Sequence, residues 1–190
     1  TANTTGANNT AVGSLALDAN TTASYNTAVG YAALTQNSTG GENTSMGWGA
    51  LGANTTASYN TAIGSKALAD NTTGGNNTAV GERGLYVNTT GASNVAVGAY
   101  ALDASNGDNN VAVGQNALGA NTTGDSNVAL GLDSLAANTT ADDNVAVGRG
   151  TLYVNTTGTA NVAIGHEVLV TNSTTSNNIA VGYQALNANT

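Results

Sequence analysis

The residues with the most reactive side chains in this sequence are one histidine and eleven carboxylates. His166 stands beside Glu167 and is the only histidine, so it is the one possible centre for a histidine metal cluster or a serine–histidine relay. No cysteine is present, which also excludes a thiolate metal site or a disulfide framework. We interpret His166 as a solvated surface residue and the chain as one that is not an enzyme.

The acidic residues are scattered through segments typical of turns, among them Asp108, Asp125 and the adjacent pair Asp142 and Asp143. That pair could contribute to a cation site, but Ca²⁺ takes about six to eight oxygen ligands. The Gly- and Asp-rich nonapeptide of calcium-binding β-rolls is absent. The glycines occur singly, with no phosphate-cradling loop and lysine. The sequence therefore predicts no metal and no cofactor.

Charge and hydropathy exclude two classes of partner. Three basic residues against eleven acids give a net charge of -8, and only 7% of residues are charged. Nucleic-acid binding needs clustered Lys and Arg, so it is not expected. No apolar run approaches the roughly eighteen residues of a membrane helix, so membrane insertion is not expected.

The chain starts at Thr1 without a signal-like segment, and we expect it to be a fragment of a longer fibre or adhesin.

The residues that recur most regularly are a glycine, a leucine and an asparagine. The period is seventeen residues, with one interval of sixteen between Gly98 and Gly114. A leucine follows each of these repeat glycines by four residues (position +4), and an asparagine precedes each by four (position −4). The repeat glycines are Gly13, Gly30, Gly47, Gly64, Gly81, Gly98, Gly114, Gly131, Gly148, Gly165 and Gly182.

The repeat unit favours strands over helices. Each unit contains several Gly, Asn and Thr residues, which are poor in helix interiors, and shows no apolar stripe of helical spacing. The segment NVAVG at 94–98 alternates as a strand does, and the NTTG segments contain turn formers. We predict an all-β protein, a parallel β-solenoid or β-roll of about eleven 17-residue coils, with residues 1–190 as a single repeat domain. At roughly 4.8 Å per coil, the rod would be on the order of 50 Å long.

Stacking of coils explains the fixed residue types. We expect the leucine at +4 and the Val, Ile, Met or Leu at −1 to form apolar ladders inside the coil, buried by neighbouring coils. The asparagine at −4 either stacks into an amide ladder or caps a turn, and both roles are compatible. The sixteen-residue coil uses Asn106 and Gly107 as a tighter turn, and should interrupt the Thr rows while leaving the core ladders intact.

The strand has two small or apolar faces, which predicts oligomerisation. Val111 and Val113 share one face, and Ala112 and Gly114 share the other. A thin solenoid has one interior, so the second face needs a partner, and we expect the Ala and Gly face to allow close approach. Position −3 is Thr in the first five repeats and Val or Ile in the last six. This indicates that the hydration of the column at −3 changes along the rod.

Two further features concern recognition and modification. Positions +1 and +2 accommodate charged residues, which predicts an outward column, and its aromatic rings could stack on sugars. The alternative is that these positions vary because nothing constrains them. The candidate recognition residues are Tyr31, Trp48, Tyr100 and Tyr183.

The acceptor pattern for N-glycosylation occurs ten times, but a turn and a Thr ladder also explain it. These sites are Asn3, Asn20, Asn37, Asn54, Asn71, Asn88, Asn121, Asn138, Asn155 and Asn172.

The units NTAVGYAAL…NSTG and NIAVGYQALNANT resemble repeats of bacteriophage tail fibres and related bacterial surface proteins. They are also similar to the shorter N-x-V-A-I-G repeats of trimeric autotransporter adhesin heads, which are left-handed parallel β-rolls. The resemblance covers essentially the whole chain. It implies a left-handed coil, a homotrimer, and a location outside the cell, at the cell surface or on a virion.

Three functions are compatible with the sequence. The first is a non-enzymatic structural and adhesive fibre segment that attaches to a cell-surface glycan or receptor. The second is a self-assembling extracellular filament, whose coils associate end to end through open strand edges. The third is an ice-binding solenoid, since regular Thr rows on a flat surface can order water. The position of the paired Thr residues in turns, and the break near Asn106, argue against the third.

Overall fold

The computed structural model describes residues 3–188, and they form one parallel sheet. Its eleven strands of three residues each pair in chain order. The prediction of an all-β parallel solenoid is confirmed. The strands are Thr10–Val12 (β1), Thr27–Val29 (β2), Thr44–Met46 (β3), Thr61–Ile63 (β4), Thr78–Val80 (β5), Val95–Val97 (β6), Val111–Val113 (β7), Val128–Leu130 (β8), Val145–Val147 (β9), Val162–Ile164 (β10) and Ile179–Val181 (β11).

The register places equivalent residues of successive coils opposite one another. Thr44 pairs with Thr61, and Ala79 pairs with Ala96. The turns also hydrogen-bond from coil to coil: the Leu34 N–H donates to the Ala50 carbonyl at 3.0 Å. Strands and turns thus both hydrogen-bond to the next coil, so successive coils have the same backbone path along their whole length.

The core consists of leucine and alanine. The leucines at +4 from Leu34 to Leu169 are fully buried, as predicted. They pack with the alanines at −2 and with the small residues at +3. The predicted burial of position −1 is wrong, because side chains such as Met46 and Ile63 point outward and are 45% and 36% exposed.

The reversal at position −1 follows from the size of the interior. Side chains at −3 and −1 lie on one face of a three-residue strand, and only position −2 lies on the other. The interior of one narrow coil already contains the leucine, so the strand contributes a single methyl group there. Val95 and Val97 therefore lie on the outer face of the sheet while Ala96 is buried.

The repeat glycine is required by both conformation and space. Gly81 has a φ of +134°, a conformation that side chains rarely adopt. A Cβ at Gly81 would lie 2.6 Å from the carbonyl carbon and oxygen of Gly98 in the next coil. The coils approach closely at this corner, so glycine cannot be replaced without moving the backbone of the neighbouring coil.

The leucines of the core adopt an unusual backbone conformation. Their φ values lie between 48° and 52° in every coil, in the left-handed region. This conformation costs roughly 1–2 kcal/mol per residue for an L-amino acid. Full burial of a leucine side chain contributes about 1.5–3 kcal/mol, which offsets that cost.

The sixteen-residue coil preserves the register of the sheet. Val95 pairs with Val111 across the shorter interval, and Leu102 remains fully buried. The missing residue is removed from the NTT turn, where Asn106 and Gly107 replace a longer segment. The prediction that the core ladders stay intact is confirmed.

We predict that Gly81→Ala destabilises the fold by about 3 kcal/mol or more, because it adds both strain and a clash. Gly84→Ala is the matched control in the same coil. Its Cβ would make an ordinary 3.6 Å contact with Ala79, and most other coils have Ala at this position. We expect Gly84→Ala to be neutral or to stabilise by about 0.5 kcal/mol. Chemical denaturation measures both, and equal effects would contradict the close-approach argument.

Candidate functional site

The largest candidate surface is the outer face of the sheet, made by positions −3 and −1 of all eleven strands. Its −1 column is aliphatic throughout apart from Met46, and Val113 and Ile164 are 39% and 40% exposed. Its −3 column changes from Thr in β1–β5 to Val or Ile in β6–β11. This outer sheet face is therefore apolar in its C-terminal half and mixed in its N-terminal half.

The asparagines at −4 satisfy backbone groups of the next coil. The Asn43 N–H donates to Asn26 Oδ1 at 3.0 Å, and Asn26 Nδ2 donates to the Gly40 carbonyl at 2.9 Å. Direct amide-to-amide bonds at this position occur only in later coils, such as Asn144 Nδ2 to Asn127 Oδ1 at 3.2 Å. Both predicted roles are present, and capping of the next coil occurs along most of the solenoid.

The asparagines of the N-[TS]-T triplets form the more continuous amide ladder. Asn54 Nδ2 donates to Asn37 Oδ1 at 2.8 Å and to the Ala57 carbonyl at 3.0 Å. Nine of the ten acceptor asparagines, Asn20 to Asn172, are at most 1% exposed, whereas Asn3 is exposed. A glycan on Nδ2 of a buried copy would remove a hydrogen-bond donor inside the coil. The folded coil has no space for it there, so a glycan at a buried copy and this fold of the coil exclude one another.

The sixteen-residue coil interrupts this amide ladder. Ser105 replaces the asparagine, and its Oγ accepts from Asn121 Nδ2 at 3.1 Å. On the other side, Asn88 Oδ1 is buried without a hydrogen-bond partner. An unsatisfied buried acceptor costs about 1–3 kcal/mol, so this junction is a weak point of the polar core.

The Thr rows differ in how they face water. At position +8 the hydroxyl donates to the backbone of the next coil, as Thr72 Oγ1 does to the Thr89 carbonyl at 2.8 Å. At position +9 the threonines, for example Thr73, are exposed. The predicted break occurs near Asn106, where Thr89 Oγ1 donates to the Asn106 side chain instead.

The recognition candidates lie at the surface on one side of the solenoid. Tyr31 and Trp48 are each 52% exposed and Tyr183 is 74% exposed, whereas Tyr100 is half-buried. They belong to different coils, so the structure does not gather them into one pocket. Of the four, Trp48 and Tyr100 take part in a cluster with basic residues.

Two basic residues of this column contact aromatic rings. Lys66 Nζ lies 4.8 Å from the centre of the Trp48 ring, and Arg83 lies 4.4 Å and 5.5 Å from the rings of Tyr86 and Tyr100. Sequence reasoning missed Tyr86, which stands at position +5 and three residues after Arg83. Cation–π contacts of this kind contribute about 0.5–1 kcal/mol at exposed sites.

Arg83 also forms an ion pair with Asp103. Its Nε and Nη2 donate to the two carboxylate oxygens at 3.2 Å each. Burial raises the pKa of the Asp103 carboxyl above its usual value, and the charge and hydrogen bonds of Arg83 oppose this effect without cancelling it. The Arg83 guanidinium is thus engaged within the solenoid by Asp103 and by the rings of Tyr86 and Tyr100.

Three other titratable residues make contacts within the solenoid. The His166 ring stacks on Tyr183 at 5.5 Å between centroids, and its Nδ1 lies 3.9 Å from Glu167 Oε2. Asp125 Oδ1 and Asp142 Oδ1 accept backbone N–H groups of the preceding coil at 2.7 and 2.8 Å. Within residues 3–188 no group of three metal-ligating side chains comes together.

Comparison with protein-family models, curated proteins and solved structures gives no match to this chain. In residues 3–188 no helix has the length and apolarity that crossing a bilayer requires. The resemblance to fibre and adhesin repeats therefore stays an interpretation of the repeat sequence.

Proposed function

We propose that this chain is a segment of an attachment fibre, a rigid non-enzymatic rod made of three identical solenoids. Its place is outside the cell, on a phage tail fibre or a bacterial surface adhesin, where it binds a cell-surface glycan or receptor. The observation that carries the proposal is the outer sheet face, where the column at −1 is apolar in all eleven strands and runs the length of the sheet.

The outer sheet face supports association of identical copies. It offers 22 side chains on eleven strands. At roughly 50 Å² of exposed area each, they present on the order of 1,000 Å² per copy, and a standard interface buries about 800 Å² per partner. Seventeen of the 22 side chains are apolar, since five strands have Thr at −3, and a contiguous apolar patch on the order of 800 Å² is uncommon on a monomer. The sequence argument for a partner therefore applies to the Val and Ile face, and the Ala face is filled by the chain's own leucines.

The geometry of the solenoid supports a parallel, in-register arrangement. Equivalent residues recur once per coil. If two copies lie parallel and in register, a contact between one pair of facing coils is therefore repeated by all the remaining pairs. The change from Thr to Val along position −3 makes the two halves of the face unlike. An antiparallel pair would place the Thr half against the apolar half, so matching like halves favours parallel association.

The variable column supports attachment as the function of the assembled rod. Positions +1 and +2 carry exposed aromatic and charged side chains that contribute little to the core. A trimer would present three copies of the column, and multivalent display raises avidity without new contacts.

A second candidate function, ice binding, is favoured by one observation. The five Thr residues at −3, from Thr10 to Thr78, lie on the flat outer face beside the aliphatic −1 column. Against it, the hydroxyls at +8 are engaged within the solenoid, and the outer Thr column covers only half of the sheet. Thermal hysteresis above a buffer control would favour this candidate over the fibre.

We predict that Val113→Lys disrupts the assembly, because it places a charge on the outer sheet face. Val87→Lys is the matched control, since Val87 is equally exposed at 37% but lies at position +6 on another side. Light scattering coupled to size exclusion should give a trimer mass for the unmodified chain and for Val87→Lys, and a smaller mass for Val113→Lys. A monomeric unmodified chain would overturn the assembly.

We predict that Tyr31→Ala weakens attachment about three- to tenfold, because loss of an aromatic contact costs about 0.5–1.5 kcal/mol. Tyr59→Ala is the control, since Tyr59 is exposed to a similar extent (57%) but lies outside the variable column. Binding of the labelled chain to a glycan array and to whole bacteria measures the effect. Equal losses in both variants, or no binding by the unmodified chain, would contradict this role for the column.

A further inference from the structure

The surface contains a notch at Gly150 with a volume of about 270 Å³. It is lined by Asp133, Arg149, Gly150, Tyr153, Glu167 and Val170. These residues come from three successive coils, with Asp133 one coil before Gly150 and Glu167 one coil after. The notch is separate from the cation–aromatic cluster around Arg83.

The notch exists because Gly150 has no side chain. Position +2 has a left-handed φ near +55° in every coil, and nine of the eleven coils place a residue other than glycine there, including Asp133 and Glu167. A Cβ at Gly150 would meet only Glu167 Cγ, at an ordinary 3.6 Å. Neither conformation nor space therefore demands glycine at this coil, and its effect is to open the surface.

The walls of the notch carry polar side chains that are held in place by one hydrogen bond and still have further hydrogen-bonding atoms free. Asp133 Oδ1 accepts from Asn116 Nδ2 at 2.8 Å, and Glu167 Oε2 accepts from Gln184 Nε2 at 3.0 Å. The second oxygen of each carboxylate has no partner among residues 3–188. In the same part of the chain, no carboxylate pairs with the Arg149 guanidinium, in contrast to Arg83. The notch thus offers two acceptors and one forked donor.

An aromatic and an aliphatic side chain complete the notch. Tyr153 is 44% exposed, and Val170 lies beside it one coil further on. An exposed ring next to fixed polar groups suits a ligand that has both an apolar C–H surface and hydroxyl groups.

The geometry points to a binding site for one neutral pyranose ring of a glycan. The hydroxyl groups of the sugar would donate to the Asp133 and Glu167 carboxylates and accept from Arg149, while its C–H face would lie on Tyr153. This inference rests on the proposed attachment function. It places the bound sugar in the coil of Gly150, which contains none of the four aromatic residues that the sequence analysis named as recognition candidates.

The charge of the notch and the spacing of its carboxylates argue against two other ligand classes. Two carboxylates against one guanidinium give the notch a net negative charge, which disfavours acidic sugars, phosphate and sulfate. The backbones at Asp133 and Glu167 are two coils, about 10 Å, apart along the axis. Within residues 3–188 the two carboxylates belong to no group of three metal-ligating side chains, whereas Ca²⁺ takes about six to eight oxygen ligands. The volume matches about nine waters at about 30 Å³ each, which is room for one ring with its hydroxyl groups.

The test uses the full 190-residue chain and saturation-transfer NMR with the methyl glycosides of glucose, galactose and mannose as probes. We expect transfer to at least one probe in the millimolar range. Gly150→Gln should weaken it at least tenfold, because the new side chain fills the notch. Gly49→Gln is the matched control, since Gly49 is the other glycine at position +2 and has open space around it. It should leave probe binding unchanged.

A second variant protects the test against misfolding. Arg149→Met removes the donor fork from an exposed side chain and should also reduce transfer at an unchanged melting temperature. The inference is overturned if no neutral probe binds the unmodified chain, or if Gly150→Gln binds as well as Gly49→Gln. If no neutral probe binds the unmodified chain but that chain still binds whole bacteria, the notch is rejected and the attachment function stands.

Discussion

The constraint on which this structure depends is that equivalent side chains of successive coils lie over one another. One coil has a single leucine and two or three small apolar residues to bury, which cannot stabilise a folded unit alone. Leu68 is fully buried because the coils before and after it cover its two sides. Each coil is therefore stable only as part of a stack, and the free energy of folding belongs to the interfaces between coils.

The same constraint explains the polar interior. A stack of coils encloses a repeating set of backbone groups that water cannot reach, and each set needs its own donors and acceptors. Two asparagines such as Asn43 and Asn54, one before and one after the strand, supply both in the seventeen-residue coils. The junction at Ser105 shows the cost of breaking the pattern, because one acceptor on Asn88 is left without a partner. Asparagine is thus retained for hydrogen bonding across coils as much as for turn formation.

The period and fixed residues were enough to predict the strand, the parallel register and the buried leucine, because all three follow from a repeat of one fixed length. The side of the strand that faces inward could not be read from them. Val97 and Ala96 are both apolar, and only the narrow interior decides between them. The left-handed leucines were equally hidden, because this conformation is unfavourable for a bulky residue and only burial offsets it.

The candidate site was less predictable than the fold. The charged residues at +1 and +2 were enough to predict an outward column. The contacts of this column with residues at other positions of the repeat could not be predicted. Tyr86 joins Arg83 only because the turn brings position +5 beside position +2. The notch at Gly150 depends on the absence of one side chain among neighbours from three coils, and such a combination has no signature in a single repeat unit.

The most direct measurement of shared burial is amide hydrogen exchange, followed residue by residue, in the variant Leu85→Ala. If burial is shared, exchange should accelerate in the coils of Leu68 and Leu102 as well as in the altered coil, and the effect should fade with distance in both directions. A change confined to the coil of Leu85 would mean that each coil is stable by itself, and would contradict the account.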